Sequence, residues 1–182
     1  MIMEFKEFPK IARLARPCII TEKIDGMNAQ ITITEDGKFL TGGRTQFITP
    51  ENDVHGFSKW AHEHKEELMK LGIGTHYGEW WGCGIGRGYG LKEKRFSLFN
   101  VMRWGDDVRP KCCSVVPLLY QGLFDAREVD NAITLLREQG SFAAPGFKRP
   151  EGVVIFHIAG NVGFKKTLER DDVPKSGLGG VL

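Results

Sequence analysis

The chain has 182 residues, and 25 lysines and arginines against 23 aspartates and glutamates leave a net charge of +2. That length suits one domain with its own core, and the near balance excludes a bulk polycation, so any nucleic-acid contact has to come from a local patch. No apolar run is long enough for a signal peptide or a membrane span. The four cysteines (Cys18, Cys83, Cys112, Cys113) lack Cys-x-x-Cys spacing, which argues against a structural zinc or a disulfide framework and for a reducing cytoplasm.

In chain order, residues 17–21 read as a short buried strand, and residues 29–34 alternate like a second one. Between them lies Thr21-Glu22-Lys23-Ile24-Asp25-Gly26-Met27-Asn28. It sets Lys23 where one strand bends toward the next, with Gly26 able to take the positive φ that such a bend often needs. A lysine partly desolvated at a strand end gives up its proton more readily than a free one, which makes Lys23 a nucleophile candidate. On these residues alone a surface lysine beside a hairpin turn is the stronger reading.

Phe57, Trp60, Ala61, His64, Leu68 and Leu71 fall at helical spacing, with Gly72 as the C-cap. His62 and His64 are two residues apart and face different sides, so they predict no metal pair, and His64 is expected to pack. A strand over 75–79 leads into Gly82-Cys83-Gly84-Ile85-Gly86-Arg87-Gly88-Tyr89-Gly90, which fits neither phosphate-loop fingerprint and reads as a flexible loop beside a site. Arg87, Lys92, Lys94 and Arg95, interleaved with Tyr89 and Phe96, form a candidate basic patch, evenly matched with a solvated loop. A strand over 97–102 follows. Val129, Ile133 and Leu136 then mark a helix between the N-cap candidate Asp125 and Gly140, and strands are expected over 152–157 and 162–166. The order predicts an α+β fold, antiparallel sheets with helices packed outside. One domain is expected over 1–173, with a poorly ordered tail over 174–182.

Beyond the lysine turn, Gly42-Gly43-Arg44-Thr45, Tyr77-Gly78-Glu79-Trp80-Trp81-Gly82, Phe96-Ser97-Leu98-Phe99-Asn100-Val101, Glu151-Gly152-Val153-Val154-Ile155 and Val162-Gly163-Phe164-Lys165-Lys166-Thr167 follow in order. Together these closely resemble the motif series of the covalent nucleotidyltransferases: ATP-dependent RNA ligases, DNA ligases and mRNA capping enzymes. The nearest likeness is to the phage-type RNA ligases that seal nicks, and it runs over residues 17–167. Two departures stand out. The last motif is usually Lys-x-Lys, whereas Lys165 and Lys166 are adjacent, and the chain stops about where most relatives begin a second domain.

The resemblance implies that Lys23 attacks the α-phosphorus of ATP to give a lysine–AMP phosphoramidate. Fixed cations must then face the phosphoryl oxygens, a role for Lys165 and Lys166 with Mg²⁺ or Mn²⁺. Lys165 is favoured, because neighbouring strand residues point to opposite faces and Phe164, which shares the face of Lys166, looks like a core residue. Such a metal needs hard oxygen ligands and keeps several waters. Glu151 is the first choice of ligand, with Asp25 holding a metal-bound water or orienting the lysine. By the same resemblance Phe99 offers the adenine a platform, Glu79 accepts from the ribose hydroxyls, and Arg44 holds ribose or nucleic-acid phosphate. Glu22 meets the adenine amino edge, and Asn28 helps position the acceptor phosphate. The implied partner is a nucleic acid with 5′-phosphate and 3′-hydroxyl ends, RNA before DNA, with no membrane and with room for a partner that supplies a second domain. A minimal DNA ligase core, a capping-type guanylyltransferase and a catalytically degenerate nucleotide- or RNA-binding domain are the alternatives.

Overall fold

Residues 17–23 carry Cys-Ile-Ile-Thr in their centre, a small apolar thiol followed by three β-branched side chains, which suit a strand buried on both faces. In the computed structural model, which describes residues 5–172, this is β1 (Pro17–Lys23), buried along most of its length. It lies inside a four-stranded antiparallel sheet in the order β10 (Val162–Thr167), β9 (Gly152–His157), β1, β8 (Leu118–Leu123). One face is covered by α3 (Ala126–Gln139), where Val129, Ala132, Ile133 and Leu136 meet Cys18, Ile20, Val153 and Ile155. Each of these larger aliphatic side chains contributes about 1.5–3 kcal/mol on burial. α3 starts where the sequence predicts, with the Asp125 carboxylate accepting the Arg127 N–H at 2.9 Å, and it stops at Gly140, φ 86°.

The second sheet has six strands in the order β4 (Phe47–Ile48), β3 (Phe39–Gly42), β2 (Met27–Ile33), β5 (Gly74–Gly82), β6 (Lys94–Leu98), β7 (Ser114–Val115), antiparallel except for the β6–β7 pair. Ala29, Ile31 and Ile33 of β2 point to one face, where Phe57, Ala61, Leu68, Leu71, Trp80 and Phe96 complete a core. Asn28, on the other face of β2, opposes Glu79, which opposes Ser97 in turn. A third apolar cluster, Ile24, Trp81, Tyr89, Val116 and Ala144, joins the turns between the two sheets. Cys18 is buried in the first core and Cys113 in the second, Cys112 is half-buried, and Cys83 is exposed.

The structure corrects several sequence expectations. The single helix expected over 57–71 is two short ones, α1 (Phe57–Glu63) and α2 (Lys65–Leu68), followed by a 3₁₀ turn. The break falls at His64 (φ −104°, ψ 15°), whose ring stacks on Trp60 at 4.9 Å and whose Nδ1 lies 2.8 Å from the Trp60 carbonyl. The strand expected over 97–102 is β6, which ends at Leu98, so Phe99 lies just beyond a strand instead of on one. Gly26 is not among the residues with positive φ. It must be glycine because a Cβ there would lie 2.5 Å from the Trp80 carbonyl oxygen and 2.7 Å from Trp81 Cβ. The expected tail, 174–182, lies outside the described residues. Among the described residues no helix is long and apolar enough to cross a membrane.

Candidate active site

Lys23 ends β1, the interior strand, and its Nζ donates to Glu151 Oε2 at 2.7 Å. Glu151 immediately precedes β9, whose first residue, Gly152, pairs with Lys23 across the ladder. The ladder therefore fixes the lysine and the carboxylate as neighbours, although 128 residues separate them. Glu151 is buried, and about a fifth of the Lys23 side chain remains open to solvent. Gly152 permits the approach of β10, since a Cβ there would lie 2.2 Å from the Lys166 carbonyl oxygen.

Glu79 reaches the same place from the second sheet. Its carboxylate accepts the Gly26 N–H at 3.0 Å and the Asn28 side-chain amide at 3.5 Å. Burial pushes its pKa up to about 7, and the positive charge of Lys23 pulls the other way. The turn between Lys23 and β2 is held from outside as well. Tyr89, at φ 52° inside the glycine run, is buried and accepts the Asp25 N–H on its hydroxyl at 2.7 Å. Arg87 lies 3.7 Å from the Asp25 carboxylate and 3.9 Å from that of Glu169, and donates to the Arg149 carbonyl at 3.1 Å.

The glycine run is thus a fastened structure, where the sequence reads as a flexible loop. Ile85 and Tyr89 are buried, successive turns close from Ile85 to Gly82, Gly88 to Ile85 and Leu91 to Gly88, and a Cβ on Gly86 would lie 2.5 Å from the Asp25 carbonyl oxygen. The basic patch expected there is largely spent internally. Arg87 turns toward Asp25, Lys94 donates to the His55 carbonyl, and Arg95 pairs with Glu93, which leaves exposed Lys92.

Glu22, expected at an adenine edge, has its carboxylate engaged from within. Ser141 Oγ donates to it at 2.6 Å, and the N–H groups of Phe142 and Ala143 at 2.8 and 2.9 Å. Burial raises its pKa, and those three donors oppose the rise. Phe142 and Ala143 in turn line a cavity of about 380 Å³ with Trp81, Ser97, Val116 and Pro117. The cavity borders the site through Ser97, which stands beside Glu79 in the sheet.

The two lysines of the last motif part company. Lys165 pairs with Val154, itself opposite Thr21, so it lies on the Lys23 face of the first sheet. Lys166 lies on the α3 face, and its Nζ donates to Asp130 at 2.7 Å. Phe164 shares that face but is exposed, so it is no core residue and the ground on which Lys165 was favoured fails; the register alone separates the pair. Arg44 is exposed on the turn between β3 and β4, closed by the Gly43 N–H on the Gln46 carbonyl at 2.9 Å. Phe99 is partly exposed, which excludes plain core packing.

The structure brings together Lys23, Glu151, Glu79, Asp25 and Asn28 and puts Lys165 on the same face as Lys23, while Arg44 stands exposed on a turn that begins at Gly43, next to the Asn28 carbonyl. Sequence reasoning missed Arg87 as an inward brace, Tyr89 as the support of the turn, and the Ser141–Ala143 loop. Only the glycines around Arg87 and Tyr89 gave a signal, and that signal was read as mobility. Among the described residues no group of three or more His, Cys, Asp and Glu side chains is arranged to hold a metal. The donor chemistry nonetheless suits a hard divalent ion, which takes one or two carboxylates and keeps its waters; Glu151 and Asp25 are the candidates.

A two-sheet fold with a lysine ending an interior strand, flanked by buried carboxylates, defines the nucleotidyltransferase domain of the ligase type. Residues 16–167 match the RNA ligase family, and the chain belongs to it. No curated protein matches it by comparison. Solved structures of Naegleria gruberi RNA ligase variants are similar to it. One with ATP and Mn gives a TM-score of 0.61 at 19% identity, covering 86% of this chain and 51% of that one. Another with ATP and Mn gives 0.59 at 20%, covering 87% and 52%, and one with AMP and Mn gives 0.57 at 17%, covering 85% and 50%. The likeness shows a shared fold, and this chain spans about half the length of those ligases.

Proposed function

We propose that the chain is an ATP-dependent RNA ligase acting through a lysine–AMP intermediate. The observation that carries the reading is the Lys23 Nζ held 2.7 Å from Glu151 Oε2 at the end of an interior strand, with Glu79 beside it. In the first step Lys23 Nζ bonds to the α-phosphorus of ATP, the bond to the pyrophosphate oxygen breaks, and the amine proton leaves toward Glu151. Splitting the reaction in this way replaces one hard step by easier ones. Lys165, on the face of Lys23, meets the charge on the phosphoryl oxygens. Glu79 accepts from the ribose hydroxyls, Phe99 flanks the base, Arg44 receives ribose or strand phosphate, and Asn28 helps position the acceptor phosphate. Glu151 and Asp25 would hold a Mg²⁺ or Mn²⁺ ion, which when bound would supply charge neutralisation at the phosphates. AMP then passes to a 5′-phosphate, and a 3′-hydroxyl displaces it to close the strand. The Naegleria structures that contain ATP or AMP with Mn support the nucleotide and the metal.

The deciding experiment is incubation with each labelled nucleoside triphosphate and Mg²⁺, followed by intact mass and peptide mapping. An AMP adduct on Lys23 that disappears in Lys23→Ala is expected. An adduct that survives that substitution, or one formed from GTP in preference to ATP, overturns the reading.

A further inference from the structure

The ligase reading requires a surface that grips RNA, and the patch nominated from the sequence is mostly spent on internal partners. A denser run of cations outside any ion pair lies at the start of the described residues. Residues 5–16, Phe-Lys-Glu-Phe-Pro-Lys-Ile-Ala-Arg-Leu-Ala-Arg, hold four basic residues and one acid. That is more positive charge than the net +2 of the whole chain. Lys6, Lys10, Arg13 and Arg16 are all exposed, and among the described residues none of them enters an ion pair. Between them Phe5, Phe8, Ile11 and Leu14 are 67–91% exposed. The segment contains no helix or strand, yet its base is fixed: the Leu14 carbonyl lies 2.9 Å from His157 Nε2, and the Arg16 carbonyl accepts the Phe124 N–H at 2.9 Å.

We propose that residues 5–16 are an RNA-binding arm, with Lys6, Lys10, Arg13 and Arg16 on backbone phosphates and Phe5 and Phe8 stacking on bases. Alternating cations and aromatic faces along an extended segment are what a sequence-tolerant nucleic-acid contact needs. The arm joins the domain at Pro17, and β1 runs seven residues from there to Lys23. At strand rise this places the arm's root roughly 20 Å from the nucleophile. It therefore touches RNA flanking the joint, and the joint itself stays at Lys23. The inference rests on the ligase reading for its choice of RNA, and the charge and exposure of the arm stand apart from the chemistry.

The test uses the full chain and a nicked RNA duplex that carries an unpaired single-stranded extension beside the nick, so that base faces are available for stacking, with binding followed by fluorescence anisotropy across a salt titration and AMP-adduct formation measured in parallel. Replacing Lys6, Lys10, Arg13 and Arg16 together by alanine should weaken binding about tenfold or more near 0.1 M salt. It should also flatten the slope of log affinity against log salt by about 3. Phe5→Ala with Phe8→Ala should weaken binding and leave that slope unchanged. Both variants should form the adduct at the parent rate and keep the parent unfolding midpoint. Unchanged affinity and slope in both variants overturn the arm, as does a parent chain that binds no RNA. An arm that instead holds a second copy would show as self-association lost in the phenylalanine variant with RNA binding intact, which overturns it too. A parent that binds RNA through the arm yet forms no adduct overturns the ligase reading alone.

Discussion

Lys165 and Lys166 stand on opposite faces of one sheet. Lys165 is aligned with Val154 and Thr21 on the side of Lys23, and Lys166 is bonded to Asp130 of α3 on the other. Their alanine variants should therefore be unequal. Lys165→Ala should lower the rate of adduct formation by two orders of magnitude or more, in line with the removal of a preorganised charge from a transition state. Lys166→Ala should keep adduct formation within a few-fold and lose at most about 1 kcal/mol, the worth of an exposed ion pair. Single-turnover adenylylation and urea unfolding of both variants check this.

Glu151→Gln keeps the shape of the side chain and removes its charge. Adduct formation should fall at least a hundredfold, and raising Mg²⁺ or Mn²⁺ should not restore it, because the proposed mechanism asks this carboxylate both to receive the lysine proton and to hold the ion. Parent-like rates over a metal titration would move the metal role to Asp25.

Glu79 ties stability to pH. Its folded pKa of about 7 stands above the ordinary 4.5, so the folded state holds a proton that the unfolded state has already released. Stability should be greatest on the acid side of that window and fall as pH rises from about 4.5 to about 7, by at most about 3 kcal/mol. Glu22, also raised, contributes in the same direction. Glu79→Gln should flatten this slope in denaturant titrations at pH 5, 6 and 7. The carboxylate is the better acceptor for ribose hydroxyls, so the KM for ATP should fall as pH passes 7 in the parent and stay level in the variant.

Gly26→Ala should cost about 1–3 kcal/mol, since the added methyl meets the Trp80 carbonyl and Trp81 Cβ and a packed strand must shift to admit it. Gly84→Ala at φ 74° meets nothing within 4 Å and pays only for its backbone conformation, about 1 kcal/mol. Thermal unfolding midpoints of the two variants should rank accordingly.

The sequence made α3 legible through its helical spacing and caps, and β1, β9 and β10 as short apolar runs with clear ends, while Lys23, Glu79 and Glu151 were singled out by their ordered motifs and the fold sets them side by side. The missed elements have physical reasons. β4 and β7 are two residues long, too short for any alternation, and β8 is a half-exposed edge whose Leu-Leu-Tyr-Gln-Gly-Leu does not alternate. The Glu22 contacts depend on a loop 119–121 residues further along the chain, a pairing that only the folded sheet creates. Arg87 reads as a solvated cation until Asp25 and Glu169 are seen around it. α1 and α2 carry the apolar spacing of a single helix, and only the His64 ring on the Trp60 carbonyl reveals the break.

Cys18 and Cys113 are each sealed inside a different sheet's core, and Cys83 stands open. The molecule thus carries two internal clocks for its own opening. A thiol reagent should mark Cys83 immediately, whereas Cys18 waits for the sheet that carries Lys23 to part, and Cys113 for its neighbour. Nucleotide that lodges against Lys23 should delay the first clock more than the second, so a timed alkylation reads which half of the domain the ligand braces.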